Sequence, residues 1–470
     1  MVKNLVWFRQ DLRVSDNTAL TAACDGNNAS VYGLYIATPQ QWQQHDMAQL
    51  REVFIRQHVQ ALHSQLAALN IELLYFEVDL FDDIPELITQ LVEKHQFTHI
   101  YANHEYGWNE KQRDQQVIEK LKNIDCQLHR FHDQSMQPPG LLTKTGKPYT
   151  VFTPFKKSWL ENWRMSRPQL QAAPVKRKPS PSIESQSLAK LSAEKTNSLW
   201  PIGEAVAQKR LQQFCKQKIE QYKAHRDIPD IDGTSSLSPY LAAGVISPRQ
   251  CLEVAMSANN GMLAGGQEGI DCWISELIWR DFYIHILDSF PQVSKSKAFK
   301  ANTESIQWRN NPADFKAWCE GKTGFPIIDA AMRQLTTTSW MHNRLRMIVA
   351  MFLSKQLLID WRWGEQFFMQ HLIDGHLASN NGGWQWAAST GTDAVPYFRI
   401  FNPVTQSTRF DAEGNFIRRF IPELKHLNNK DIHLPPPIIR AELAPDYPSP
   451  LVDLKMARED ALSAFARVSK

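Results

Sequence analysis

The chain has 470 residues, 43% of them hydrophobic and 21% charged, with a formal net charge of +3. That length accommodates two or three domains with well-buried cores, and a charge so near balance leaves only a local basic surface to serve a nucleic acid. The longest apolar run, MIVAMFL at 347–353, is far too short to cross a bilayer, so no membrane segment is expected.

The amino terminus, MVKNLVWFRQDLR, meets charge after a few apolar residues and reads as a first strand, not a secretory signal, which points to the cytoplasm. Further short apolar runs follow at 31–37 (VYGLYIA), 72–79 (ELLYFEVD) and 99–106 (HIYANHEY), with helical patterns between them. Strand and helix in alternation predict a parallel sheet covered by helices over residues 1–135, and the stripe Val59, Leu62, Leu66 and Leu69 suits a helix packed on it. No GxGxxG follows the first strand, and GKT at 321–323 lacks the upstream glycine of a phosphate loop because Lys316 stands there.

Residues 136–204 are expected to connect two domains, since from 168 the chain is rich in Pro, Ser and Lys (PVKRKPSPSIESQS) without periodicity. From 205 to 470 helical patterns dominate, predicting an all-α second domain. Six cysteines are scattered without a CxxC pair, so free thiols and no metal site are expected. Nine of the fifteen tryptophans fall within 271–390, more than twice an even share, so this domain uses flat aromatics.

In CWISELIWRDFY, Glu276, Trp279, Arg280 and Tyr283 stand at i, i+3, i+4 and i+7, which would place aromatic, acid and base on one helical face. SWMHNRLRMIV repeats the spacing with Trp340, Asn343, Arg344 and Met347. Such mixed faces line either a ligand cavity or a structural ion pair. GTSSLS at 233–238 offers hydroxyls and backbone N–H groups that would hold phosphate oxygens or cap an ordinary helix. In NNGGWQWAAST, Trp384 and Trp386 are two apart, so on a helix they point about 200° from each other and serve different surfaces.

WFRQDLRVSDN (7–17), GTSSLSPYLAAGVISPR (233–249), ELIWRDFY (276–283), KTGFPIIDAAMRQL (322–335), MHNRLRM (341–347) and NNGGWQWAASTGTDAVPYFRIFNP (380–403) together resemble the photolyase/cryptochrome family, most closely its bacterial class I cyclobutane pyrimidine dimer DNA photolyases. The resemblance implies a Rossmann-like α/β domain followed by an all-α domain that holds FAD. Carried over residue by residue, it places FAD against Tyr222, Thr234, Ser235, Ser236, Leu237, Ser238, Trp273, Glu276, Arg280, Trp340, Asn343, Arg346, Asp374, Gly375, His376 and Asn380. Asn380 would sit beside the flavin N5 and Arg346 would pair with Asp374; where the family usually has Asp-Gly-Asp, this chain has Asp374-Gly375-His376.

The chemistry so implied is light-driven. Reduced, anionic FAD gives an electron to a flipped-out pyrimidine dimer in UV-damaged DNA, and the dimer splits. Trp279 and Trp386 would flank the lesion, Glu276 would bind a thymine edge, Asn343 and Met347 would complete the pocket, and Arg226, Arg280, Arg344 and Arg399 would serve substrate or phosphates. Trp384, Trp361 and Trp308 would relay an electron inward from the surface. NHEYGWNEKQRD resembles the segment that holds 5,10-methenyltetrahydrofolate as an antenna, implying Asn109, Glu110 and Lys295, although an ordinary loop-to-helix cap explains the same residues. A monomer is expected. The rival within the family is a cryptochrome, a photoreceptor without repair activity; the residues Glu276, Trp279, Met347 and Trp386 taken together favour repair.

Overall fold

The computed structural model describes residues 2–26, 29–188 and 199–468. Packing divides the chain into two compact units, Met1–Ile219 with Ser235–Pro291, and Glu220–Thr234 with Gln292–Lys470. The sequence boundaries at 135 and 204 mark changes of secondary structure, whereas packing gathers 235–291 with the sheet.

In the first unit, β1 (Lys3–Phe8), β2 (Ser30–Ala37), β3 (Glu72–Glu77), β4 (His99–Asn103) and β5 (Gln127–Phe131) form one parallel sheet in the order β3-β2-β1-β4-β5. Leu5 of β1 is in register with Tyr32 of β2 and Ile100 of β4. The central strands are almost continuously apolar and buried because helices cover both faces of a parallel sheet. Helix α1 (Gln49–Ala68) buries Val59, Leu62 and Leu66, the stripe its sequence predicts. Helices α2 (Ile84–His95) and α3 (Trp108–Leu121) complete the alternation. The strand order reverses between β1 and β4, which opens a crevice at the carboxyl ends of these strands.

The expected connection contains a helix, α4 (Phe152–Met165). Phe152, Phe155, Trp159 and Trp163 form a buried stripe along it, a signal masked by the turn-rich residues before it and the prolines after it. Beyond it the chain is irregular but pinned: Arg177 of the KRK triplet donates to the carbonyls of Cys24, Gly26 and Ala29, and its own N–H bonds Leu69. Residues 189–198 of the connection lie outside the described residues.

Helices α5 (Pro248–Ala258) and α6 (Glu268–Ser289) close this unit. The amide side chain of Gln267 caps α6 by accepting from Gly269 and Ile270. On the inner side of α6, the buried Asp281 accepts from the backbone N–H groups of Met136 and Gln137 and from Trp159 Nε1 at 3.0 Å. Burial pushes this carboxyl up to about 6, against the pull of the adjacent Arg280 charge.

The second unit is helical, with no strand among its described residues. Its core joins α7 (Pro326–Thr338), α8 (Asn343–Met351), α9 (Trp361–His371) and α10 (Leu377–Ala387) around Trp318, Phe352, Trp361, Phe368 and Trp384. No helix among the described residues is long and apolar enough to cross a membrane.

Asp281→Leu strands three donors at once and is expected to lower the unfolding free energy by about 1–3 kcal/mol. Urea unfolding of wild type and variant measures this, and an unchanged midpoint would count against Asp281 as the tie between α6 and α4.

Candidate flavin and DNA site

In the first unit, α6 carries Glu276, Trp279, Arg280 and Tyr283, all half-buried, along the side away from Ile274, Ile278 and Asp281. The predicted face therefore forms. Trp279 lies flat on Phe152 of α4, ring centroids 3.6 Å apart and planes 9° from parallel, while Phe282 meets it edge-on at 5.6 Å. An indole held this way keeps its plane, because rotation would break contact with both rings. Arg280 is drawn inward, donating to the carbonyl of Gln134; burial lowers its pKa from the ordinary arginine value. Trp273, one turn before Glu276, is buried against Phe214.

The GTSSLS turn crosses the boundary of the units, between Thr234 and Ser235. Ser236 adopts a left-handed backbone (φ 49°), and a short helix follows at Ser238–Ala242 with Leu237 buried before it. A Cβ at Gly233 would stand 2.5 Å from the Cβ of His225, so only glycine lets the turn lie against that residue.

In the second unit, Ser339 takes a left-handed conformation that ends α7, and α8 begins only at Asn343. Trp340 therefore precedes the helix and does not share its face, which corrects the predicted i, i+3 relation; the hydroxyl of Thr338 fixes it by donating to the Trp340 carbonyl at 2.9 Å. Asn343 and Met347 remain one turn apart on the accessible side of α8. Arg344 forms a two-point ion pair with Asp227, which also lies 3.8 Å from Arg226. One carboxylate thus stands between two guanidiniums. Tyr222 is buried beneath Arg226, whose guanidinium lies 5.5 Å from its ring.

Arg346 pairs with both oxygens of Asp374, at 3.1 and 2.8 Å, and donates to the Met341 carbonyl. Gly375 is buried, and His376 takes the N-cap position of α10 without a capping bond to the helix, its Nδ1 being 3.4 Å from the Ser379 hydroxyl. Along α10, Asn380 Nδ2 donates to the Glu365 carbonyl at 3.0 Å, Asn381 to the Glu365 carboxylate and Gln385 to Asn381. Trp384 is 2% exposed and packs edge-on against Phe368 and Trp318. Trp386 is half-buried. The two indoles therefore differ in exposure, as their spacing predicts. Trp361 is fully buried at the start of α9, and Trp308 is half-buried against Phe465 of α11 (Leu454–Ala466). Arg399 is exposed.

A separate cavity of about 620 Å³, counting its open mouth, occupies the crevice of the sheet and is lined by Trp7, Arg9, Trp42, Phe81, Glu110 and Arg113 among others. At its rim Asn109 Nδ2 bonds His45 Nε2 at 2.9 Å, and His45 Nδ1 lies 3.8 Å from Glu110. Burial, then the charge of Glu105, raises the Glu110 carboxyl above its usual range. Lys295 is exposed in a short 3₁₀ turn of the second unit. Among the described residues no group of three or more His, Cys, Asp or Glu side chains could hold a metal ion.

Residues 273–467 match the FAD binding domain of DNA photolyase, and residues 4–179 match DNA photolyase. The sheet domain and the flavin-binding helical domain thus define the photolyase type of flavoprotein. The chain belongs to the DNA photolyase family. It is 47% identical to the deoxyribodipyrimidine photo-lyase of Escherichia coli (strain K12) over the whole of both chains, and 46% identical to that of Salmonella typhimurium over the same share. Among solved structures, a bacterial class III photolyase from Agrobacterium tumefaciens has 35% identity and a TM-score of 0.86, covering 100% of this chain and 98% of its own. The cryptochrome of Synechocystis has 27% identity and a TM-score of 0.88, covering 99% of each chain.

The residues present suit FAD. With Asn380 Nδ2 turned to the Glu365 carbonyl, the amide oxygen would be the atom left to accept from an N–H of a bound reduced flavin, and the amide adds no charge. The hydroxyls of Thr234, Ser235, Ser236 and Ser238 are of the kind that bind diphosphate oxygens. Phe152 in the first unit, and the Glu365 carbonyl and Asp227 in the second, are partners of motif residues that the motifs alone did not disclose. Phe152 had a detectable signal in its helical aromatic stripe; a backbone carbonyl has none.

His342 caps α8 by accepting the Arg344 N–H on Nδ1. Burial holds its pKa down at about 4, with Asp227 opposing and the charges of Arg346 and Arg344 reinforcing the shift. The unfolded chain binds this proton with an ordinary pKa of 6.5, so the stabilisation is complete above that value and is lost as pH falls through about 4. His342→Asn keeps an acceptor at the cap and is expected to flatten the fall in thermal stability between those pH values; an unchanged acid limb would exclude His342 as its source.

Proposed function

We propose that the chain is a light-dependent DNA repair enzyme, a deoxyribodipyrimidine photo-lyase, which splits cyclobutane pyrimidine dimers in UV-damaged DNA. The observation that carries this reading is Trp279: half-exposed, backed by Phe152 and fixed in plane, it is a ready platform for a flat base. Stacking on such a ring stabilises an extrahelical base by about 1–3 kcal/mol. A dimer stacks and pairs poorly within the duplex, so its extrusion costs less than that of an intact pair.

When bound in its reduced anionic form, FAD would provide the light-excited one-electron chemistry by which the dimer opens with no net redox change. Tyr222, Thr234, Ser235, Ser236, Leu237, Ser238, Trp273, Glu276, Arg280, Trp340, Asn343, Arg346, Asp374, Gly375, His376 and Asn380 would hold it. Trp279 and Trp386 flank the lesion, and Glu276 hydrogen-bonds a thymine edge. Asn343 and Met347 fill the pocket around it. Arg226, Arg344 and Arg399 meet phosphates and Arg280 supports the substrate side; the gathering of Arg226 and Arg344 at Asp227 supports this, because it brings two guanidiniums together on a chain of small net charge.

Trp384, Trp361 and Trp308 pass an electron inward from the surface. The support is their gradation of burial, from 2% and 1% exposure for Trp384 and Trp361 to the half-exposed Trp308. For the antenna we favour 5,10-methenyltetrahydrofolate, with Asn109, Glu110 and Lys295 as contacts. The protein is taken to act as a monomer in the cytoplasm, on the nucleoid when bound to DNA.

Illuminating the reduced protein with an oligonucleotide containing one thymine dimer should restore thymine absorbance, with no restoration in the dark. Loss of light dependence, or no restoration at all, would overturn the enzyme reading in favour of a photoreceptor. Trp308→Phe is expected to block light-driven reduction of oxidised flavin and to leave repair intact once flavin is reduced chemically; undiminished photoreduction would remove Trp308 from the relay.

A further inference from the structure

Immediately after α8 the helix widens into a π-turn, Phe352–Gln356, which carries a fully buried lysine. Lys355 Nζ donates to the carbonyls of Tyr397 and Arg399, at 3.4 and 3.2 Å. Neighbours in the same turn of chain grip the same segment: Gln356 donates to the Phe401 carbonyl, and Met351 Sδ accepts the Phe401 N–H. Segment 397–401 is thereby held at both ends from below, while Phe398 (59% exposed) and Arg399 stand out above it.

A clamp of this kind does not need a charge, since Gln356 holds a carbonyl as a neutral donor. Yet Lys355 has no carboxylate partner among the described residues; its surroundings are the two carbonyls, the Phe465 ring at 5.8 Å, and the Lys300 ammonium as the nearest charge that acts on it. Burying an unpaired ammonium is costly unless a later partner compensates it. π-turns of this kind recur at functional sites.

We infer that Lys355 is a positioning residue for DNA binding: its buried ammonium holds the carbonyls of Tyr397 and Arg399 so that the Arg399 guanidinium is presented to backbone phosphates, whose charge its own then complements from beneath. This rests on the proposed contact between Arg399 and DNA. Burial, and after it the charge of Lys300, brings Lys355 down to about 7; Lys300 is itself lowered by burial and drawn up by Asp393. Phosphate above the segment favours the protonated ammonium, so affinity should weaken as pH rises through about 7.

The test is binding in the dark to a labelled oligonucleotide with one thymine dimer, using the flavin-loaded protein. Lys355→Met is expected to raise Kd about tenfold for damaged and undamaged DNA alike, and to flatten the pH dependence. Repair per absorbed photon at saturating DNA should not change. The double variant with Arg399→Ala should lose less affinity than the sum of the two single losses, because both residues act through one segment. Fully additive losses, or an unchanged Kd for Lys355→Met while Arg399→Ala binds weakly, would overturn the inference alone. An unchanged Kd for Arg399→Ala would overturn the DNA contact beneath it. Should Lys355→Met not fold, Lys355→Gln keeps a donor and removes the charge; wild-type affinity with a wild-type pH profile in that variant would overturn the inference equally.

Discussion

The contact between Gly364 and Trp384 fixes the arrangement of the second unit. A Cβ at Gly364 would stand 2.1 Å from Cη2 of the indole, so the ring occupies the space where any other residue would have a side chain. This seats α10 against α9 in one rotational setting, and with 100° per residue the rest follows. Asn380 and Asn381 reach the carbonyl and carboxylate of Glu365, Gln385 continues that polar row one turn later, and Trp386 is left half-exposed. One missing methyl group thus sets the direction of an electron-relay candidate, a flavin-contact candidate and a lesion-stacking candidate on a single helix.

The sheet was legible in the sequence because both faces are covered, which makes its strands continuous apolar runs that short turns separate. The mixed face of α6 was legible for the complementary reason: four dissimilar residues at helical spacing have no role in a plain core. Trp340 was misplaced because periodicity continues through Ser339, and only a left-handed backbone there shows that the helix stops and restarts. The helix α4 was hidden by composition on either side of it, although its aromatic stripe has the right period. The stripe that contains Phe152 has a local signature, but its pairing with Trp279 has none, since stacking depends on tertiary proximity.

Net charge said nothing of where charge is placed. The ion-pair network Arg9, Glu105, Arg113 and Asp114 is buried in the first unit. At Asp227 two guanidiniums meet one half-buried carboxylate. A polyanion is attracted by local charge and not by the total, and the release of counterions makes that attraction dependent on salt.

The same contrast bears on the cavity at the sheet. Reversal of strand order between β1 and β4 makes a crevice unavoidable, and in many such folds a glycine-rich turn fills it with a diphosphate. Here that turn is absent. The Arg9 and Arg113 guanidiniums lie 4.5 and 4.8 Å from the ring of Trp7 and are already paired with Glu105 and Asp114, so little cationic capacity remains for phosphate. What the walls offer is aromatic surface from Trp7, Trp42 and Phe81, with the raised carboxyl of Glu110 as a polar group among them. A flat, largely apolar ligand with one hydrogen-bonding edge matches that lining better than a nucleotide phosphate does.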